Sequence, residues 1–107
     1  MIDEETKRFE LKVKVFKIFS DPTRLRILEV LREKEHNVSE LIEKLNLKQS
    51  TVSQHLKMLK DCGAVVNRKN GRESIYMIRD ERIGKIIDLG EEILILTVED
   101  MANCVCK

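Results

Sequence analysis

The chain has 107 residues, 42% of them hydrophobic and 36% charged, with four Gly, one Pro and a formal net charge of +1. That length supports one hydrophobic core and not two, and the composition describes a folded domain rich in helix formers, which excludes a disordered chain. No apolar run approaches the roughly 18 residues of a membrane span, and the acidic opening "MIDEET" is no secretory leader, so the expected location is the cytoplasm with no membrane partner.

Residues 4 to 19, "EETKRFELKVKVFKIF", read as a first helix with Phe9, Val13 and Phe16 on one stripe and Leu11, Val15, Ile18 and Phe19 on other faces. One stripe can face the domain's own core, so the remaining apolar surface calls for a partner. "SDPTRLRILEVLRE" opens a second helix, with Asp21 as cap, Pro22 at the first helical position and Leu25, Leu28 and Leu31 at helical spacing. "NVSELIEKLNL" predicts a short third helix capped by Ser39 or Asn37, with Leu41, Ile42 and Leu45 inward. After Leu47 and Lys48, "QSTVSQHLKMLKDCG" predicts a fourth helix stopped by Gly63.

The period then changes. "AVVNRKNGRESIYMI" holds two β-rich runs joined through Asn70 and Gly71, a two-residue hairpin signal. Helical spacing returns in "DERIGKIIDLGEEILILTVEDM", where Ile93, Leu94, Ile95 and Leu96 again cover more than one face. Both end helices are too apolar for a monomer of this size and are expected to pair two copies into a homodimer.

Charge is distributed unevenly. Residues 48 to 79 hold seven Lys and Arg against Asp61 and Glu73, a net +5, which leaves −4 on the rest. A basic middle between acidic ends is the electrostatic outline of a nucleic-acid surface. On a helical wheel of residues 49 to 62, Val52, Leu56 and Leu59 form a buried stripe, with Ser50, Ser53, Gln54 and Lys57 opposite. Hydroxyl and amide groups suit base edges and an ammonium suits phosphate. Arg68, Lys69 and Arg72 surround the hairpin tip, within reach of phosphates or a minor groove. The expected fold is mainly α with a small β-hairpin wing, a winged helix-turn-helix: one domain over 1–107, with dimerisation helices at 1–19 and 80–107, the helix-turn-helix at 38–62 and the wing at 64–78. No nucleophile, base and orienter arrangement, Gly-rich phosphate loop or His/Glu metal spacing is present, so no enzyme activity is expected.

The "DPTRLRIL" opening, the "STVSQHL" stretch and the "RKNGRESIY" wing together resemble the ArsR/SmtB family of dimeric winged-helix repressors, over roughly residues 16 to 79. The resemblance implies a homodimer that represses its own operon on double-stranded operator DNA and is released by an inducer, often a metal ion. It assigns Ser50, Thr51, Ser53, Gln54 and His55 to the DNA-reading helix. The family's familiar thiol pair ahead of the recognition turn is missing from "NVSELIEKL", and the last helix lacks the His of its zinc-binding members. Members that sense cadmium and lead use two cysteines at the end of the recognition helix and one from the tail. Here Cys62 keeps one of those positions, Met58 replaces the other, and the tail offers Cys104 and Cys106.

Three cysteines are an odd set for a reducing compartment, where a structural disulfide is not expected. Residues i and i+2 of a helix point about 200° apart, so Cys104 and Cys106 can face one ion only from an extended segment. With Cys62 they would supply three thiolates, a set that suits Cd(II), Pb(II) or As(III), admits Zn(II) and excludes hard ions. No organic cofactor is implied. Three other readings stay open: a thiol redox or persulfide sensor using the same cysteines, a repressor without ligand, and a protein-interaction module that has lost DNA binding. Cys62 also reads as a small buried hydrophobe, and Met58 as a core residue.

Overall fold

The first three helices start at side-chain caps the sequence supplies, as shown by a computed structural model that describes residues 3–103. Helix α1 (Glu4–Ile18) starts at Asp3, whose carboxylate accepts the Thr6 N–H at 2.7 Å. Helix α2 (Pro22–Glu33) starts at Asp21, which accepts the Arg24 N–H at 3.0 Å, with Pro22 in the turn where a missing N–H costs nothing. Arg24 then reaches backwards and donates to the carbonyls of Ile18 at 3.3 Å and Lys17 at 2.9 Å. The segment from Asp21 to Arg24 thus caps the start of α2 and the end of α1 together, a role for the arginine that helical spacing alone does not announce.

Strand β1 (His36–Asn37) leads into α3 (Val38–Leu45). Asn37 rather than Ser39 is the cap: its side chain accepts the Glu40 N–H at 2.8 Å while Glu40 accepts the Asn37 N–H at 2.8 Å. Asn46 ends α3 at φ 54°, and Leu47 N–H returns to the Ile42 carbonyl at 3.2 Å. This sharp turn launches α4 (Gln49–Asp61) across α3. The core comprises Ile18, Ile27, Leu28, Leu31, Leu41, Val52, Leu56, Leu59, Ala64 and Val65: the stripe expected on α4 is buried whole, whereas on α2 Ile27 joins Leu28 and Leu31 in place of Leu25, and on α3 Leu41 alone is fully buried. Ile42 and Leu45 pack at its edge, and Leu25 is half-buried.

Strands β2 (Val65–Asn70) and β3 (Glu73–Ile78) form the wing hairpin, in a three-stranded antiparallel sheet of order β1-β3-β2. The turn lies one residue later than the sequence signal. Asn70 pairs with Glu73, so the connecting residues are Gly71 and Arg72, and Gly71 alone has positive φ, 67°. A connection with positive φ only at its first residue is of the II′ kind, which Gly accommodates and Asn does not. Strand β1 was not foreseen. It is two residues long, pairs His36 with Tyr76, and buries the His36 ring, whose Nδ1 donates to the Lys34 carbonyl at 2.8 Å.

Helix α5 (Glu81–Asn103) follows. Asp80 receives the Arg82 backbone N–H at 2.8 Å and the Arg82 guanidinium at 2.6 Å, and these bonds hold its carboxyl well below the usual carboxylate range. Ile83 and Ile87 pack on the core edge. Beyond them Leu89, Ile93, Leu94, Ile95, Leu96, Val98 and Met101 are exposed, as are Phe9, Leu11, Val13, Val15 and Phe16 on α1. No helix in the described residues is long and apolar enough to cross a membrane.

Candidate nucleic-acid interface

Burial of Val52, Leu56 and Leu59 turns the opposite side of α4 to solvent, and Ser50, Ser53, Gln54 and Lys57 stand exposed there. Thr51 is half-buried beside them. Lys48 precedes the helix without a side-chain cap, so the first backbone N–H groups of α4 remain open beside the exposed hydroxyl of Ser50. An open N-terminus of this kind favours anions. Lys57 is tied to Asp61 one turn on, at 3.1 Å.

His55 lies on the same helix but is half-buried. Its side chain is 19% exposed, and Nδ1 is buried with no hydrogen-bond partner among the described residues, 3.9 Å from Asp21 Oδ2. It lies on the flank of α4 that faces the start of α2. Asp21 is held below its ordinary carboxyl value first by the Arg24 backbone N–H and further by the nearby His55. One carboxylate therefore caps α2 and faces the middle of α4.

Besides the β1–β3 pairing, two side-chain contacts fasten the wing to the segment ahead of α3. Arg68 on β2 pairs with Glu35 at the end of the α2 to β1 connection, and Asn37 Nδ2 donates to Glu73 Oε1 on β3 at 2.9 Å. Lys69, Asn70, Gly71 and Arg72 project beyond these fasteners and are exposed. None of the ion pairs among the described residues involves Lys48, Lys69 or Arg72. The structure thus sorts the expected cations into two sets: Lys57 and Arg68 already hold a carboxylate, whereas Lys69 and Arg72 do not.

The cysteines divide as well. Cys62 is exposed at the end of α4, so it is not a core residue. It borders a cleft of about 470 Å³ floored by Val15, Ile18, Ala64 and Ile83 and rimmed by Arg79 and Arg82. Met58 is 45% exposed and likewise leaves the core assigned to it, because α4 buries its 52, 56 and 59 positions. Cys104 and Cys106 lie outside the described residues. Among the described residues no three His, Cys, Asp or Glu side chains gather as a metal site. Cys62 is the one cysteine among the described residues.

An exposed polar helix face thus stands beside a basic two-stranded wing, and the comparisons with known proteins point to a family of regulators. Residues 21–66 match the family described as "Bacterial regulatory protein, arsR family". An uncharacterized HTH-type transcriptional regulator of Methanocaldococcus jannaschii is 41% identical over 88 residues, which are 81% of this chain and 99% of that protein. The arsenical resistance operon repressor of Staphylococcus xylosus is 34% identical over 93 residues, 87% of this chain and 86% of that one. The crystal structure of Rv0081 from Mycobacterium tuberculosis superposes with a TM-score of 0.82 at 33% identity, covering 88% of this chain and 95% of the other. The chain belongs to the arsR family of bacterial regulatory proteins, and is a winged helix-turn-helix transcriptional repressor rather than an enzyme.

Proposed function

We propose that two copies pair through α1 and α5 and present their α4 helices to successive major grooves of an operator about one helical turn apart. Ser50, Thr51, Ser53 and Gln54 read base edges, Lys57, Lys69 and Arg72 contact phosphates, and Arg68 joins them by exchanging Glu35 for a phosphate. His55 braces α4 against the start of α2. The observation that carries this reading is the exposed polar face of α4 standing beside a wing tip where Lys69 and Arg72 hold no carboxylate among the described residues. Pairing through the end helices is supported by their apolar residues, exposed along most of both lengths in the single chain, a surface that monomers seldom leave uncovered.

The inducer in this reading is a soft metal ion held by Cys62, Cys104 and Cys106, with Cd(II), Pb(II) and As(III) the best suited. A relative named as an arsenical resistance operon repressor supports the class. The thiols come from two subunits. Helix α5 begins beside the Cys62 cleft and is unbroken to Asn103, so its end lies about 26 Å beyond Ile86 along the axis. Three further residues reach at most about 10 Å, which is too short to return to Cys62 of the same chain. A bound ion would neutralise thiolates and tie the partner's tail to the end of α4, where differential affinity for the DNA-free arrangement lowers operator affinity.

Operator duplexes recovered by selection from random sequence, followed by fluorescence anisotropy, test both halves. The expected result is sequence-specific binding that weakens on addition of Cd(II), Pb(II) or As(III), with a sulfur-to-metal charge-transfer band absent from Cys62→Ser. Loss of binding with peroxide alone, reversed by reductant, would move the sensor to thiol redox chemistry. Specific binding that none of these reagents alters would leave a repressor without this inducer. No selected sequence at all would contradict the DNA-binding half.

A further inference from the structure

The joint between α5 and the rest of the domain is narrow. Helix α2 is the element with which α5 makes its main contact, and beyond Ile87 the helix runs exposed to Asn103. At that joint the Arg32 side chain crosses the face of Gly84 and ends in a two-pronged ion pair with Asp88, Nη1 to Oδ1 at 2.6 Å and Nη2 to Oδ2. Gly84 is buried, and a Cβ built on it would fall 2.6 Å from Arg32 Nε and 3.1 Å from Cζ. The absence of a side chain at 84 therefore lets the guanidinium lie between the two helices. The planar fork of Arg against a carboxylate fixes direction as well as distance.

We propose that Arg32, threaded over Gly84 onto Asp88, is the positioning residue that sets the angle between α5 and the helix-turn-helix, and with it the half-site spacing the repressor accepts. The inference rests on the dimer reading, since α5 must carry the partner for its angle to matter at the DNA. The lever is long. From Gly84 to Asn103 the helix spans about 28 Å, so a pivot of about 10° at the joint displaces its far end by about 5 Å. One base pair advances a half-site by about 3.4 Å and turns it by about 34°. A joint loosened by 10° therefore lets the second recognition helix wander by more than one base-pair step. An exposed ion pair is worth little as a stabiliser, and both partners here are partly exposed. Its geometry, not its contribution to stability, is what the account requires.

The test uses the full chain and the duplexes selected with it, resynthesised with one or two base pairs inserted or deleted between the half-sites. Wild type is expected to lose at least about tenfold in affinity for each one-base-pair change. Arg32→Gln, Asp88→Asn and the double variant are expected to lose less than about threefold, with the double no broader than either single because the two groups act as one unit. Thermal midpoints and the sedimentation of the dimer should stay near wild type in Asp88→Asn, whose changed side chain is exposed. Gly84→Ala is expected to broaden the spacing in the same way by displacing Arg32. A dimer whose spacing selectivity survives both Arg32→Gln and Asp88→Asn overturns this inference alone. A wild-type chain that sediments as a monomer, free and on DNA, overturns the dimer reading and this inference with it.

Discussion

Replacing Arg72 by Gln removes one cation from each wing tip and two from a dimer. Arg72 has no carboxylate partner among the described residues, so its charge is free to displace a counterion from DNA. Each neutralised phosphate contributes about 0.9 to the slope of log affinity against log salt, and two contacts make the variant's slope shallower by about 1.8. Between about 50 and 200 mM salt that difference amounts to a factor of about 12, so the affinity deficit of Arg72→Gln shrinks about twelvefold as salt rises over this range. Arg68→Gln behaves differently. Arg68 is already paired with Glu35, and a phosphate must replace that carboxylate rather than a condensed salt ion, so its slope changes by less than half as much. Anisotropy titrations of one selected duplex at five salt concentrations resolve both effects. An unchanged slope in a folded Arg72→Gln protein, or equal changes in the two variants, would refute the assignment of the wing cations.

Further outcomes follow from the same contacts. Ile93→Glu puts a carboxylate on the exposed apolar face of α5; losing the burial of one Ile at each of two symmetric positions costs about 3 to 6 kcal/mol of association, so sedimentation should show dimer dissociation strengthened at least a hundredfold, with the protomer's thermal midpoint little changed. Asn37→Ala removes the α3 cap and the bond to Glu73 and should lower stability by about 1 to 2 kcal/mol in urea unfolding; a neutral effect would show that the capping box carries no net stability. Asp21→Ala should cost about 1 kcal/mol at pH 7. The Asp21 carboxyl is held below its ordinary value by the Arg24 N–H and by His55, so its ionised form stabilises the fold above about pH 4 and that stabilisation disappears as pH falls through the lowered folded value. The gap between wild type and Asp21→Ala should accordingly narrow in acid, and a gap that widens between pH 5 and 3 would contradict the sign.

Much of the architecture could be read from the sequence because local and global signals agree in it. Pro22 after Asp21, the 52, 56 and 59 stripe, and the change of period at Ala64 each place an element where the structure has it. The signals that failed are those whose outcome is settled elsewhere. Asn70 and Gly71 form a strong hairpin pair, yet the cross-strand pairing of Asn70 with Glu73 moves the turn one residue on. Strand β1 is too short to show a period and exists because β3 offers it an edge. Met58 sits one residue before a buried position, and a wheel drawn without the neighbouring elements does not say which flank solvent takes. Arg24 and Arg32 read as ordinary helix-surface cations, although one caps α1 and the other pairs with Asp88 on α5. At the proposed DNA interface the exposed residues of α4 were legible as a set, whereas the pairing of Arg68 with Glu35 depends on a contact 33 residues apart that no local pattern encodes.

Hydroxyl-radical footprinting of a selected duplex tests the central claim most directly. Paired α4 helices with a wing at each flank predict two protected segments about one helical turn apart, with weaker protection outside each from the wing tips, and the outer protection should vanish in Arg72→Gln. A single protected segment, or a footprint unaffected at its flanks when the wing cation is removed, would contradict the account of how this repressor engages DNA.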